Sequence, residues 1–225
     1  MVKKILILII SISFSSLHGQ TIYLNLGTSF SKLDWKYVEH FHIDDEQQYH
    51  DPLQTFTVSA GIEYFEHKYY SITSDLYYYQ SGGKYSEEEK NTIHTFKSPD
   101  KISISYLSIG SSFNFNPIDN KFKLQLCLGP RVDYIINSAS ENLHWIDERN
   151  GLNKFNFGFT AGIGFYYSFD KYHIGVKAQY LNRIRKLADI KPAESFPYNE
   201  SGVIATEQVY LLGISLGYII KSSKN

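Results

Sequence analysis

Eight stretches of alternating apolar and polar residues run through the chain, and the gaps between them alternate strictly between short and long. Because successive side chains of a β-strand point to opposite faces, each stretch predicts a strand with one apolar and one polar face. The predicted strands span residues 21–34, 53–66, 69–80, 101–115, 121–136, 153–168, 171–185 and 206–220. An even number of strands joined in this way predicts an eight-stranded antiparallel up-and-down transmembrane β-barrel.

The gaps predict which end of each strand faces which side of the membrane. Three short gaps, at residues 66–68, 116–120 and 169–171, are rich in the Asn, Asp, Pro and Lys that favour hairpin turns. The long gaps hold most of the acidic residues and prolines, and they span residues 35–52, 81–100, 137–152 and 186–205. We expect short periplasmic turns and four long extracellular loops.

Residue parity assigns two faces to each strand. One face carries large apolar side chains, such as Tyr210, Leu212, Ile214, Leu216, Tyr218 and Ile220 in the last strand and Phe155, Phe157, Phe159, Ala161, Ile163, Phe165 and Tyr167 in the sixth. The other face carries most of the strand glycines, namely Gly129, Gly158, Gly162, Gly164, Gly175, Gly213 and Gly217. A soluble lipocalin-like barrel would show the same alternation with an apolar interior. The glycines favour the membrane barrel, because a narrow interior needs small side chains.

The ends of the strands and of the chain support the same interpretation. Tyrosine clusters at 69–70, 77–79 and 166–167 are placed as interfacial girdles would be. The pattern formed by Gly213, Leu216, Tyr218 and Ile220 resembles the C-terminal strand signal that the barrel assembly machinery reads. We therefore expect membrane lipid and that machinery as partners.

The fourth predicted strand departs from the common pattern. Ile102, Ile104 and Tyr106 share one phase, whereas Phe113 and Phe115 share the other. If every large apolar residue faces lipid, the phase must change within the strand. The sequence therefore predicts a β-bulge between Tyr106 and Gly110.

The first 19 residues have the features of a secretory signal peptide. Lys3 and Lys4 precede an apolar run, Ile5–Leu17, that is shorter than the roughly 18 residues of a membrane-spanning helix. Cleavage is expected after Gly19, so that residues 1–19 form the signal peptide and residues 20–225 the barrel domain. Export of this kind predicts the outer membrane of a Gram-negative cell.

Composition excludes one class of function and is compatible with the barrel. A net charge of −1 and a pI near 6.7 give no basic face for nucleic acid. The 19 Tyr and 15 Phe suit a pleated sheet at a membrane interface. Cys127 is the single cysteine, so no internal disulfide is expected.

Nine polar residues on the predicted inner face are candidates for chemistry: Asn25, Glu63, Asp75, Gln125, Arg131, Asp133, Lys177, Gln179 and Arg183. They carry charges of both signs, so one interpretation is a buried ionic network that fills the barrel. The other is a narrow path for ions or solutes. The small size of an eight-stranded barrel favours the network.

The first long loop combines imidazoles and carboxylates. His40 and His42 would share one face of a strand and could ligate zinc or copper if a third ligand converged. The neighbouring candidates are His50, Asp44, Asp45, Glu46 and Asp51. The favoured interpretation is a solvated acidic loop, as it is for the charge run Glu87–Lys90. We therefore predict no metal site and no cofactor.

An enzyme is the remaining alternative from a different class. A hydrolytic set could be assembled from Ser138, Ser140, His144, Asp147 and Glu148. No Gly-x-Ser-x-Gly elbow supports a nucleophile among them. The first strand also begins too early to leave room for the amphipathic helix of the eight-stranded palmitoyltransferases. We predict no catalytic residues.

Recognition through the outer loops is the favoured class of function, because loops on a rigid scaffold are where binding residues concentrate. Trp35, Tyr37, Tyr49 and Trp145 are candidate contact points for a protein partner, but packing of the loops or a place in the aromatic girdle is the favoured interpretation.

Three segments resemble a known family. They are Tyr106–Gly110, Lys121–Pro130 and Phe157–Gly164. In them the chain is similar to the outer-membrane protein β-barrel domain family that includes PorT-like proteins. The resemblance implies an outer-membrane location and an eight-stranded barrel, and PorT itself is associated with protein secretion to the cell surface.

Overall fold

The computed structural model describes residues 20–38, 43–48, 51–84, 101–138, 152–190 and 202–221. Ten β-strands lie in these residues: β1 (Gln20–Val38), β2 (Ile43–Gln48), β3 (Asp51–Tyr64), β4 (Tyr70–Lys84), β5 (Lys101–Asp119), β6 (Phe122–Ser138), β7 (Phe155–Phe169), β8 (Tyr172–Arg183), β9 (Ala188–Ile190) and β10 (Gly202–Lys221). In the same ranges no helix has the length and apolarity of a helical membrane span. The predicted signal peptide lies outside the described residues.

Eight of these strands form a closed ring. Each pairs antiparallel with its neighbours in the order β1-β3-β4-β5-β6-β7-β8-β10, and β1 pairs with β10 to close it. The two remaining strands are short and extend the wall, β2 beside β1 and β9 beside β10. The predicted eight-stranded up-and-down barrel is confirmed.

The short turns define one end of the barrel, which we call the turn end. They cover residues 65–69, 120–121 and 170–171, close to the predicted positions. The opposite end, which we call the loop end, carries β2 and β9. Both strands lie in segments that the sequence assigned to long loops.

The predicted faces are confirmed on β6, β7, β8 and β10. In β10 the six residues assigned to lipid are between 44% and 57% exposed, whereas Ser215 is buried on the other face. Closing the sheet therefore leaves a belt of Phe, Leu, Ile and Tyr on the outside and polar groups inside. A belt of this kind matches the lipid-facing band of a transmembrane barrel.

The predicted bulge in β5 is wrong. The pairing of β5 with β4 runs without interruption from Tyr70–Phe115 to Lys84–Lys101, and alternate residues of β5 stay inward throughout. Register irregularities against β6 occur at Ser105/Tyr106 and at Phe115/Ile118, outside the predicted window. The strand keeps one phase, and its large apolar residues lie on both faces. Ile102 and Ile104 are completely buried inside the barrel, whereas Phe113 and Phe115 are exposed outside.

Ile102 and Ile104 belong to an apolar core that fills the interior at the loop end. Its members include Leu33, Trp35, Ile102, Ile104, Leu181, Leu187, Ala188, Val203 and Ala205, and each is at most 1% exposed. We call this set the loop-end core. The rest of the interior, toward the turn end, is polar.

Candidate functional site

The polar part of the interior is the candidate site, because it gathers the chemically active side chains of seven strands. Its deepest group at the turn end is the carboxylate of Glu63 on β3. Lys123 Nζ lies 2.8 Å from Glu63 Oε1, and Tyr23 Oη donates to Oε2 at 2.6 Å. Ser71 Oγ and Gln125 Nε2 also donate to Oε1. Four donors from three strands therefore hold one buried carboxylate, as a buried charge requires.

Glu66 lies in the turn below this group. Its Oε1 is 3.5 Å from Lys123 Nζ, and its side chain is 22% exposed. Burial and then the neighbouring Glu63 carboxylate raise the pKa of Glu66 above its usual value. Lys123 is therefore shared between a fully buried carboxylate and a second one at the rim.

A second group occupies the middle of the barrel. Tyr77 Oη donates to Asp75 Oδ2 at 2.8 Å and accepts from Gln179 Nε2 at 3.1 Å. Lys177 Nζ lies 3.5 Å from the same Asp75 oxygen. Strands β4 and β8, which are not neighbours in the ring, are thus joined across the interior.

A third group centres on Arg183 and lies below the loop-end core. The Arg183 guanidinium pairs with Glu207, and it also donates to Tyr79 Oη at 3.2 Å. Tyr106 Oη and Ser81 Oγ donate to the two oxygens of Glu207 at 3.0 and 2.7 Å. The guanidinium carbon is 4.1 Å from the centroid of the Tyr106 ring, a cation–π contact.

Arg131 and Asp133 on β6 complete this third group. Arg131 Nη2 is 3.0 Å from Asp133 Oδ2, and Arg183 Nε is 3.5 Å from the same oxygen. All three side chains are at most 3% exposed. Asp133 therefore lies between two guanidinium groups, and the third group is a chain of alternating charges.

Space inside the polar part is small. A cavity of about 20 Å³ lies beside Asn25, Ser59, Tyr77, Lys177 and Gln179. A volume of this size holds about one water molecule. Bulky side chains and paired charges, rather than open space, occupy the described interior here.

The nine predicted interior residues all lie on the inner face. Eight of them belong to the three groups, and Asn25 donates to Ser59 Oγ at 2.8 Å. The predicted buried network is confirmed. Glu207 was not predicted, although its parity with Ser215 on β10 places it on the inner face. Tyr106 was assigned to lipid and instead binds Glu207.

Several candidate residues of the loops lie outside the described residues. They are His40, His42, Tyr49, His50, Glu87–Lys90, Ser140, His144, Trp145, Asp147 and Glu148. Tyr37, Asp44, Asp45 and Glu46 lie on strands, but their side chains are not described, and Asp51 and Ser138 lie at strand ends. Trp35, a candidate loop contact, is buried in the loop-end core. No cluster of three metal-binding side chains occurs in the part of the chain that the structure describes.

Comparison with known proteins decides the family. Residues 17–187 match the family described as outer membrane protein β-barrel domain. The chain belongs to this family. Together with the closed ring of strands, membership makes the protein an outer-membrane β-barrel and places it in the Gram-negative outer membrane. No curated protein sequence matches the chain.

Solved structures of outer-membrane proteins are similar to the chain. OprG of Pseudomonas aeruginosa matches with a TM-score of 0.57 at 14% identity, covering 92% of this chain and 98% of OprG. Neisserial surface protein A matches with a TM-score of 0.43 at 11% identity, covering 88% of this chain and 96% of the Neisserial protein. Ail of Yersinia pestis matches with a TM-score of 0.39 at 12% identity, covering 90% of this chain and all of Ail. The match to OprG extends over nearly the whole of both chains and concerns the fold alone.

Proposed function

We propose that this outer-membrane barrel is a structural or interaction scaffold, in which the barrel is a closed anchor and the outer loops carry recognition. The observation that carries the proposal is the filled interior. Buried carboxylates and cations pair across the barrel, and the loop-end core closes the outer half with apolar side chains.

The energetics of the interior argue against transport through the barrel. A solute passing the third group would have to separate Arg183 from Glu207 and from Asp133. Removing the partner of a buried ion costs about 3–5 kcal/mol. The loop-end core would then expose buried apolar surface at the next step. Because the barrel is closed, its function is carried out at the outer surface.

Planar-bilayer recordings test the closed anchor. The purified wild-type protein is expected to give no discrete openings, with a sixteen-stranded porin recorded as the positive control. A variant that enlarges the cavity, Tyr77→Ala with Gln179→Ala, shows whether the assay detects a leak in this barrel. Reproducible openings of the wild-type protein would overturn the proposal.

Loop deletion tests recognition by the outer surface. Deleting residues 141–149 is expected to preserve the heat-dependent gel mobility shift of a folded barrel and to remove any partner found by proximity labelling in intact outer membranes. Loss of the mobility shift would contradict a scaffold with dispensable loops. Unchanged labelling after deletion of each long loop in turn would place recognition elsewhere. Lipid analysis of the same membranes tests the lipid-modifying alternative, for which we expect no change.

An accessory role in a protein-secretion assembly is the second candidate, supported by the resemblance to PorT-like proteins. The three segments that carry the resemblance lie on the adjacent strands β5, β6 and β7, where Leu128 pairs with Ala161 and Gly110 pairs with Arg131, the residue directly after the β6 segment. They therefore form one continuous patch of the wall. Co-purification of secretion components with the wild-type protein, and their loss on substituting Leu128 and Phe159, would favour this role over a scaffold that acts alone.

A further inference from the structure

The wall between β7 and β10 is interrupted by a short bulge. Regular pairing of β8 with β7 reaches Arg183, opposite Gly158, and β9 resumes the wall when Ala188 bridges Leu152. The four residues between them, Ile184–Leu187, form what we call the basic bulge. Leu187 is 1% exposed in the loop-end core, whereas Ile184 is 64% exposed. Arg185 and Lys186, between them, are also exposed.

Side chains in β7 and just before it hold the basic bulge in place. Asn156 Nδ2 donates to the Arg185 carbonyl at 3.0 Å, and the Arg185 amide donates to Asn156 Oδ1 at 3.4 Å. Asn153 Nδ2 donates to the Lys186 carbonyl at 2.9 Å. The amide of Ile184 donates to the Phe157 carbonyl. The bulge is therefore a fixed part of the wall that displays two cations.

Strand register places the basic bulge at the outer edge of the lipid-facing belt. Tyr180 and Tyr210 form a pair on the outer surface with ring centroids 5.0 Å apart, and Tyr210 is paired in register with Phe30. Aromatic rows of this kind lie where acyl chains meet headgroups.

One step further toward the loop end, the outer surface becomes polar. Exposed Lys32 is paired with exposed Gln208, and exposed Asn182 precedes Arg183 on β8. The basic bulge follows Arg183 directly. Its cations therefore lie on the polar side of the aromatic row, while exposed Ile184 lies beside lipid-facing Phe157, to whose carbonyl its amide donates.

We propose that the basic bulge, with Lys32, binds the phosphate of an outer-leaflet lipid headgroup. Arginine matches phosphate geometry with two parallel hydrogen bonds, and lysine contributes a flexible point charge. Ile184 would pack against the acyl chains of the same lipid. Lys186 also pairs with Asp189 at 3.4 Å, and Asp34 lies two residues after Lys32 on β1. Arg185 is therefore the main phosphate ligand, and Lys186 assists it. The site goes beyond the proposed scaffold role and stands or falls independently of it.

Native mass spectrometry of the full-length folded protein tests the site. The probes are diphosphorylated lipid A, the same lipid with both phosphates removed, and inorganic phosphate. The double variant Arg185→Gln/Lys186→Gln is expected to bind diphosphorylated lipid A about tenfold more weakly than the wild-type protein, since charge-assisted hydrogen bonds are lost. Lys121→Gln/Lys171→Gln is the matched control, because it removes two exposed cations at the turn end. This control is expected to change affinity less than about twofold.

A third variant separates position from charge. Asn153→Ala keeps both cations but releases the Lys186 carbonyl, so we expect an intermediate loss of affinity with an unchanged heat-dependent mobility shift. Unaltered binding in the Arg185/Lys186 variant would overturn the site, and so would an equal loss in the turn-end control. Equal binding of dephosphorylated lipid would show that acyl chains alone are recognised. Binding of inorganic phosphate at the same affinity would replace the lipid with a free anion, which also overturns the proposal.

Discussion

The two halves of the barrel have opposite polarity. Toward the turn end the outside is apolar and the inside is charged, as in β1, where Ile22 and Leu24 are exposed and Tyr23 binds Glu63. Toward the loop end of the same strand Lys32 is exposed, whereas Leu33 and Trp35 are buried inside. Within one strand, the wall thus changes from the arrangement of a membrane barrel, with apolar side chains outside, to that of a soluble barrel, with apolar side chains inside.

Strand length explains this inversion. β10 has 20 residues and β1 and β5 have 19 each, whereas a tilted strand crosses the bilayer with about 9–11 residues. The excess protrudes beyond the lipid, where water replaces acyl chains. There the apolar side chains gain more by facing inward. The alternation of the sequence is continuous, and what changes is the solvent outside.

The largest expected effect comes from breaking the ion pair at the boundary between the two halves. Arg183→Met leaves Glu207 and Asp133 buried without this cation, so we expect a loss of about 3–5 kcal/mol in the free energy of unfolding. Urea titration of the protein in lipid vesicles, followed by gel mobility, measures it. Adding Glu207→Gln to Arg183→Met should recover part of the loss. A double variant as unstable as the sum of the two single variants would contradict the pairing.

A lysine scan along the outer face of β10 tests the change of solvent directly. Leu212 is 52% exposed within the lipid-facing belt, so Leu212→Lys is expected to cost about 2–4 kcal/mol. Thr206 is exposed on the same face nearer the loop end, and Thr206→Lys is expected to stay within about 0.5 kcal/mol of the wild-type protein. The same vesicle titration measures both variants. Equal costs would mean that the polarity of the outer environment does not change along the strand.

The inner face of the turn-end half depends on glycines that make room for aromatic rings. A Cβ atom at Gly164 would lie 2.7 Å from Tyr166 Oη, and one at Gly175 would lie 2.6 Å from Tyr166 Cδ1. Gly164→Ala is therefore expected to cost about 1–3 kcal/mol through overpacking. Gly110 is the matched control, because the nearest atom to its added Cβ, Arg131 Cβ, is 3.3 Å away. Gly110→Ala should cost less, and the opposite order would show that the Tyr166 ring moves freely.

The sequence predicted the turn-end half better than the loop-end half for the same physical reason. In β7 and β10 the rule that large apolar residues face lipid assigns the faces correctly, because the residues to which it was applied, Phe155–Tyr167 and Tyr210–Ile220, lie in the lipid-facing belt. The rule fails for Ile102, Ile104 and Tyr106, which lie above the belt and point inward. It therefore predicted a bulge, although side chains alternate along β5 without interruption. The alternation of side chains along β10, applied without this rule, correctly places Glu207 on the inner face.

The wall extensions needed information that the sequence does not provide locally. β9 has three residues, and its position depends on Leu152 and Ala205, which are distant in the chain. The basic bulge depends in the same way on Asn153, just before β7, and on Asn156 in β7. Periodicity within a segment cannot predict such pairing, because the partners set it.

The smallest expected effect concerns the rim of the turn end, where the charged interior meets water. Burial and the Glu63 carboxylate raise the pKa of Glu66 in the folded protein, so ionised Glu66 is less stable there than in the unfolded chain. Its contribution to stability is fully present below the unfolded pKa of about 4.3 and is lost as pH rises through the higher folded value. Glu66→Gln should therefore raise the free energy of unfolding by about 0.5 kcal/mol at pH 8 and change little at pH 4. Urea titrations at the two pH values measure the difference. A variant that is less stable than the wild-type protein at pH 8 would mean that the contact with Lys123, at 3.5 Å, outweighs burial and the repulsion from Glu63.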